Sequence, residues 1–181
     1  IYRPLDGELR QLAEMIGSAE RITVFCGIGA REAHDEVVRL AAMLKAPVAY
    51  TFKAKMEVQY DNPYEIGMTG LLGLPSAYGA MHESDLLLLL GTDFPYDCFL
   101  PSECRIAQVD IRPERIGRRA RVELGLAGDV KETLQALFPM LRERSDRVFL
   151  DRQLKIYGAL CDDMAAVASK RGSAGNIAPE Y

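Results

Sequence analysis

Hydrophobic residues along the chain follow two alternating patterns that together predict an α/β fold. Short strand-like segments rich in apolar residues occur at residues 21–26, 47–52, 86–90, 105–111 and 122–126. Between them, apolar residues recur every three or four positions, as in amphipathic helices, near residues 5–16, 31–45, 75–82 and 130–141. This alternation predicts a Rossmann-like open, mostly parallel sheet of about six strands with helices on both faces.

One stretch, residues 67–96, shows the strongest signal for a ligand-binding site. It begins with a glycine-rich turn at residues 67–73, which precedes the predicted helix at residues 75–82. Five consecutive leucines at residues 86–90 predict a strand buried on both faces, and a Gly-Thr-Asp turn follows at residues 91–93. Open α/β sheets bind ligands at the carboxyl ends of their strands. The sequence therefore predicts a binding site around this turn.

A second glycine turn, at residues 27–30, follows the first predicted strand and precedes a helix. This order is that of a phosphate-binding turn, in which free backbone N–H groups lie at a helix N-terminus. The dinucleotide fingerprint, however, requires a glycine where Glu32 stands, and the second strand ends in Lys53 rather than in an acidic residue. The turn is therefore either a phosphate-binding turn or a purely structural one, and NAD is disfavoured.

Two aspartates at predicted strand ends are candidate ligand contacts. Asp93 is either a turn residue or a group that places its carboxylate or its N–H against a ligand. Asp110 ends a predicted strand, where it could accept a hydrogen bond from a ribose hydroxyl or only cap the turn before Pro113. The histidines, His34 and His82, have no nucleophile or acid at matching spacing. We interpret both as surface or capping residues, and no catalytic residue is predicted.

The last part of the chain has a different pattern. Between residues 148 and 168, apolar positions step by three or four, which predicts one long amphipathic helix with Leu154, Tyr157 and Met164 on a common face. Residues 170–176 have the composition of a linker. We therefore expect two parts, residues 1–145 and residues 146–181. The helix should pack either on the first part or against a neighbouring domain.

Composition excludes several classes of protein. The net charge of −4 and the isoelectric point near 5.3 argue against a general nucleic-acid binder. The four cysteines lack the spacing of a zinc site and are typical of reduced thiols in a cytoplasmic protein. No metal site is predicted, and no apolar run approaches the length of a membrane span. The chain begins with Ile1 rather than methionine, so we expect it to be part of a longer polypeptide.

Five short stretches resemble a known family, and they occur in the same order as in that family. Their sequences are FCGIG at residues 25–29, YDNPY at 60–64, GMTGLLG at 67–73, LLGTDFPY at 89–96 and QVDI at 108–111. Together they resemble the middle domain of thiamine-diphosphate-dependent enzymes of the pyruvate oxidase type. The nearest resemblance is to pyruvate:quinone oxidoreductases, also called ubiquinone-linked pyruvate dehydrogenases.

This resemblance implies a six-stranded domain of the DHS-like NAD/FAD-binding class that binds FAD in an extended pose. Asp110 would hold the adenosine end of the cofactor. The flavin and its diphosphate would be lined by two loops, with the residues Thr69, Gly70, Leu71, Leu72, Thr92, Asp93, Phe94, Pro95 and Tyr96.

The resemblance also implies the chemistry of the whole enzyme. Members of the family decarboxylate pyruvate on thiamine diphosphate with Mg²⁺ and pass electrons through FAD to a quinone. The catalytic parts lie in two other domains of the same polypeptide. The Gly-Asp-Val at residues 128–130 lacks the final glycine of the family's GDG magnesium motif. The chain alone is therefore expected to be inactive.

Some members of the superfamily keep this fold without flavin. The alternative function is thus a non-catalytic scaffold domain of a flavin-free decarboxylase or of an acetolactate-synthase-like enzyme. In either case the resemblance implies a homo-oligomeric, cytoplasmic enzyme that does not bind nucleic acid. Contact of the full-length enzyme with the inner face of the cell membrane would be peripheral and would not involve this segment.

Overall fold

The computed structural model describes residues 2–168, and its centre is a sheet of six strands in the order β3-β2-β1-β4-β5-β6. Every neighbouring pair of strands is parallel. The predicted Rossmann-like α/β class is therefore confirmed, and the strand order is that of the doubly wound dinucleotide-binding fold. The strands are β1 (Ile22–Cys26), β2 (Val48–Tyr50), β3 (Glu65–Met68), β4 (Leu86–Leu90), β5 (Arg105–Asp110) and β6 (Leu124–Ala127).

Helices cover both faces of this sheet. The larger core cluster joins one face to the first, second and fifth helices, and the smaller cluster joins the other face to the fourth and sixth. Parallel strands require such double coverage because their crossover connections return over the sheet. The helices are α1 (Asp6–Ser18), α2 (His34–Leu44), α3 (Lys55–Val58), α4 (Pro75–Glu83), α5 (Val130–Leu137) and α6 (Val148–Ala168).

The five leucines of β4 form the centre of both clusters. Leu86, Leu88 and Leu90 pack in the larger cluster. Leu87 and Leu89 point to the opposite face and pack in the smaller one. The strand lies between β1 and β5, so neither of its edges meets solvent. The prediction of a strand buried on both faces is therefore confirmed.

The structure differs from the predicted elements at two places. Residues 65–68 form the strand β3, which the pattern did not predict because it is short and contains Gly67 at a positive φ of 87°. No helix was predicted between residues 52 and 67, but the short helix α3 lies there, and its Val58 is buried. Both elements are too short for hydrophobic periodicity to identify them.

The long final helix, α6, is confirmed. Leu154 and Tyr157 pack against the smaller core cluster, whereas Met164 remains 46% exposed. The first half of the helix thus packs on the sheet. The predicted common face is covered at Leu154 and Tyr157 but is partly exposed at Met164. The predicted linker at residues 170–176 lies outside the described residues, and the division at residue 145 stays a prediction. Within residues 2–168, no helix is both long and apolar enough to cross a membrane.

Candidate functional site

A cavity of about 510 Å³ opens at the carboxyl ends of the strands. It lies where the strand order reverses between β1 and β4, which is the usual ligand position in open α/β sheets, and its volume is within the range of about 300–1,000 Å³ typical of ligand sites. The structure brings nine of the ten predicted site residues together in its walls. These are Thr69, Gly70, Leu71, Leu72, Thr92, Asp93, Phe94, Pro95 and Tyr96.

Eight further residues line the cavity and were not predicted as site residues: Ile28, Thr51, Phe52, Lys53, Met68, Gly91, Arg115 and Arg119. Among them, the three cations matter most for ligand chemistry. A cluster of five arginines between residues 112 and 121, directly after Asp110, was the signal that could have indicated two of them. The third is Lys53, the residue after the second predicted strand that disfavours NAD.

The glycine turn after β1 serves to join β1 to β4. The N–H of Gly27 donates to the carbonyl oxygen of Leu90 at 2.8 Å, and the N–H of Gly29 donates to that of Gly91 at 2.9 Å. A Cβ atom on Gly91 would lie 2.5 Å from the Cα of Gly29. Since these two amides are already paired and the two backbones touch, the structure supports the structural interpretation of this turn.

The glycine-rich loop after β3 lines the cavity and contains unpaired backbone donors. Thr69 and Gly73 anchor the loop, because their N–H groups donate to the carbonyl oxygens of Tyr50 and Gly70. Among the described residues, no acceptor pairs with the N–H groups at positions 70–72. Gly70 has a φ of 116°, a conformation that favours glycine. Such a cluster of free amides is suited to bind an anionic group.

Positive charge at the cavity exceeds negative charge. Asp93 accepts hydrogen bonds from Arg119 Nε at 3.1 Å and from Arg118 Nη1 at 3.2 Å. Both carboxylate oxygens of Asp93 therefore hold arginines, and the residue orients Arg119 at the cavity wall. Lys53 and Arg115 form no ion pair within residues 2–168. The net cationic wall favours a phosphate-bearing ligand.

Asp110 is the predicted site residue that does not line the cavity. It is only 2% exposed. Its Oδ1 atom accepts the N–H of Arg112 at 2.9 Å, so it does cap the turn. Its Oδ2 atom is buried and has no partner among the described residues. Burial raises the pKa of this carboxyl group, and the Arg112 amide partly opposes that effect.

Apolar side chains form the rest of the cavity. Phe94 is buried and makes edge-to-face contacts with Phe25 and Tyr96, at ring-centroid distances of 5.2 and 5.4 Å. At the mouth, Leu71 and Leu72 are 71% and 74% exposed. The cavity thus combines a cationic, amide-lined wall with an apolar rim. This arrangement can bind an elongated ligand that has an anionic middle and a flat apolar end. Within residues 2–168, no cluster of three or more His, Cys, Asp or Glu residues could hold a metal ion.

Comparison with known proteins identifies the family. Residues 9–137 match the family described as "Thiamine pyrophosphate enzyme, central domain". The chain belongs to this family. The match covers the sheet from α1 to α5 and therefore includes every residue of the cavity wall.

The relatives are longer proteins with different names. An "Uncharacterized 42.6 kDa protein in isoamylase 3'region" of Pseudomonas amyloderamosa is 49% identical over 87% of the chain, which spans 40% of that relative. "Putative thiamine pyrophosphate-containing protein YdaP" of Bacillus subtilis is 35% identical over 82% of the chain and 26% of its own length. A pyruvate oxidase of Lactiplantibacillus plantarum is 28% identical over 74% of the chain and 23% of its own length. Acetolactate synthases, such as that of Mycobacterium avium, also match.

Proposed function

We propose that this chain is the FAD-binding central domain of a thiamine-diphosphate-dependent pyruvate oxidoreductase. The proposed enzyme decarboxylates pyruvate and passes electrons through FAD to a quinone or another acceptor. The observation that carries the proposal is the cavity at the reversal of strand order, with its free amides and its three cations. A dinucleotide places two phosphates between two ring systems, which is the distribution of charge that this cavity complements.

The residues present fit FAD. Arg115, Arg119 and Lys53, together with the free amides at positions 70–72, would hold the diphosphate. The unpaired Oδ2 atom of Asp110 is buried and does not line the cavity, so it would accept a hydrogen bond from a ribose hydroxyl once its surroundings open to the ligand. Bound FAD would supply electron transfer. The role of this chain would be to bind and orient the cofactor and to shield one end of the cofactor from water.

The whole polypeptide is proposed to contain two further domains that hold thiamine diphosphate and Mg²⁺. Two observations support this: the family is defined by thiamine pyrophosphate, and the chain spans 40% or less of the relatives described above. The same proposal includes a homo-oligomeric enzyme located in the cytoplasm or at the inner face of the cell membrane. The 181-residue chain alone, supplied with thiamine diphosphate and Mg²⁺, should not decarboxylate pyruvate, which a carbon dioxide assay can check.

A flavin-free scaffold domain is the second candidate, because acetolactate synthases are among the relatives. The two candidates predict different results in one experiment. The complete polypeptide is purified, its visible spectrum is recorded, and FAD is titrated by quenching of flavin fluorescence. FAD should bind saturably and more tightly than riboflavin, because riboflavin lacks the diphosphate. A colourless protein that shows no saturable FAD binding would support the scaffold and contradict the proposal.

A further inference from the structure

Gln108 is a buried polar residue in strand β5, which lies between β4 and the edge strand β6. It is 4% exposed, and its neighbours Ala107 and Val109 belong to the larger core cluster. A buried amide is costly unless its hydrogen bonds are satisfied. Here the side chain makes three hydrogen bonds, all to backbone atoms. An apolar side chain could fill this space in the core, so the role of the glutamine is to bind the backbone atoms that its amide contacts.

The three hydrogen bonds reach the two loops that frame the cavity. Nε2 donates to the carbonyl oxygen of Thr92 at 3.2 Å and to that of Arg115 at 3.3 Å. Oε1 accepts the N–H of Gly117 at 2.9 Å. Thr92 and Arg115 both line the cavity, whereas Gln108 does not. One side chain thus fixes the loop after β4 relative to the loop after β5.

We propose that Gln108 is a positioning residue for the cavity. It holds the loop of residues 112–120 against the loop after β4, and it thereby keeps Arg115 at the wall where the diphosphate of FAD would bind. The inference rests on the proposed function for its ligand, but the hold on the two loops is independent of it. Gln108 acts through Arg115 and Thr92, and it does not contact the ligand.

The experiment uses the variants Gln108→Met and Arg115→Met and their combination in the complete polypeptide. Methionine keeps the length of glutamine and removes its hydrogen bonds. Gln153→Met is the matched control, because Gln153 is a buried glutamine on α6 whose amide donates to Glu83, and neither residue lines the cavity.

The first measurement is hydrogen exchange at the Gly117 amide without flavin. Loss of the acceptor in Gln108→Met should accelerate exchange about fivefold to tenfold, whereas Gln153→Met should leave the rate unchanged. Unchanged exchange at Gly117 in Gln108→Met would overturn the inference. This measurement is decisive even if the wild-type protein binds no FAD, in which case the proposed function fails by itself.

The second measurement is the dissociation constant for FAD. Gln108→Met should weaken binding about tenfold, and Gln153→Met should not. The fold-increase in the dissociation constant of the double variant should be smaller than the product of the fold-increases of the two single variants, because Gln108 acts partly through Arg115. A loss equal to that product would show that the residues act independently and would overturn the inference.

A further variant tests the case in which Gln108→Met fails to fold. Gln108→Glu keeps an acceptor for the N–H of Gly117 and loses the donors to Thr92 and Arg115. It should leave exchange at Gly117 slow and still weaken FAD. If FAD affinity is unchanged in this variant, the donors do not position the cavity and the inference is wrong.

Discussion

Replacement of Asp110 tests the candidate ribose contact most directly, because its two oxygens have separate roles. Oδ1 accepts the turn N–H of Arg112, whereas Oδ2 is buried without a partner. Asp110→Ala removes both acceptors. Asp110→Asn keeps an acceptor for the turn and replaces the charged oxygen with a neutral amide. The pair of variants therefore separates the turn from the ligand.

The expected loss of affinity follows from the type of hydrogen bond. A hydrogen bond from a ribose hydroxyl to a charged acceptor is worth about 1.5–3 kcal/mol, and a neutral one is worth about 0.5–1.5 kcal/mol. Asp110→Ala should thus weaken FAD roughly ten- to hundredfold. Asp110→Asn keeps a neutral partner for the hydroxyl and should weaken FAD by about tenfold or less.

Asp110→Asn should weaken FAD binding but increase the stability of the ligand-free protein. Burial raises the pKa of Asp110 in the folded protein. Between the ordinary pKa and the raised one, the folded state binds more protons than the unfolded state, so stability falls as pH rises. Removing the charge should make the ligand-free variant more stable than the wild type near neutral pH. The advantage should shrink as pH falls toward the ordinary carboxyl pKa of about 3.9.

Flavin fluorescence titrations and thermal melts of the ligand-free protein at several pH values measure both effects. Asp129→Asn is the matched control, because Asp129 also accepts a backbone N–H, that of Glu132 at the start of α5, and does not line the cavity. FAD dissociation constants within twofold of the wild type for both Asp110 variants, together with a destabilised Asp110→Ala, would refute the ribose contact. Asp110 would then be only a turn residue.

Three further predictions concern the cavity and the final helix. Gly91→Ala should lower the free energy of unfolding by about 1–3 kcal/mol or more in denaturant titrations, because the new methyl group would overlap the backbone of Gly29. Equal stability would show that the close approach is not required. Arg119→Gln should weaken the binding of FAD about tenfold and that of riboflavin little. Arg121 is exposed and does not line the cavity, so Arg121→Gln should change neither affinity. Equal weakening of both flavins would contradict a diphosphate contact. Tyr157→Phe removes the 3.0 Å hydrogen bond to Glu65 and should cost about 1 kcal/mol of stability, and an unchanged melting temperature would contradict this.

Local patterns predicted much of the fold. Five consecutive leucines indicate a strand buried on both faces whatever surrounds it, because alternate side chains of a strand point to opposite faces. The structure confirms this burial in two separate clusters. The strand β3 was missed, since a four-residue edge strand containing glycine carries too little hydrophobic pattern. The same is true of the helix α3.

The sequence by itself also predicted the two loops of the cavity, one as a glycine-rich turn at residues 67–73 and the other as the turn that follows the five-leucine strand, where open α/β sheets bind ligands. Only the tertiary structure decided which distant residues join them. Arg119 is placed by Asp93, and the loops after β4 and β5 are held by Gln108. Such pairings depend on strand order and register, which place residues together that no local pattern connects. The burial of Asp110, which is only 2% exposed, was likewise decided by the tertiary structure, because no local pattern distinguishes a buried aspartate at a strand end from an exposed one.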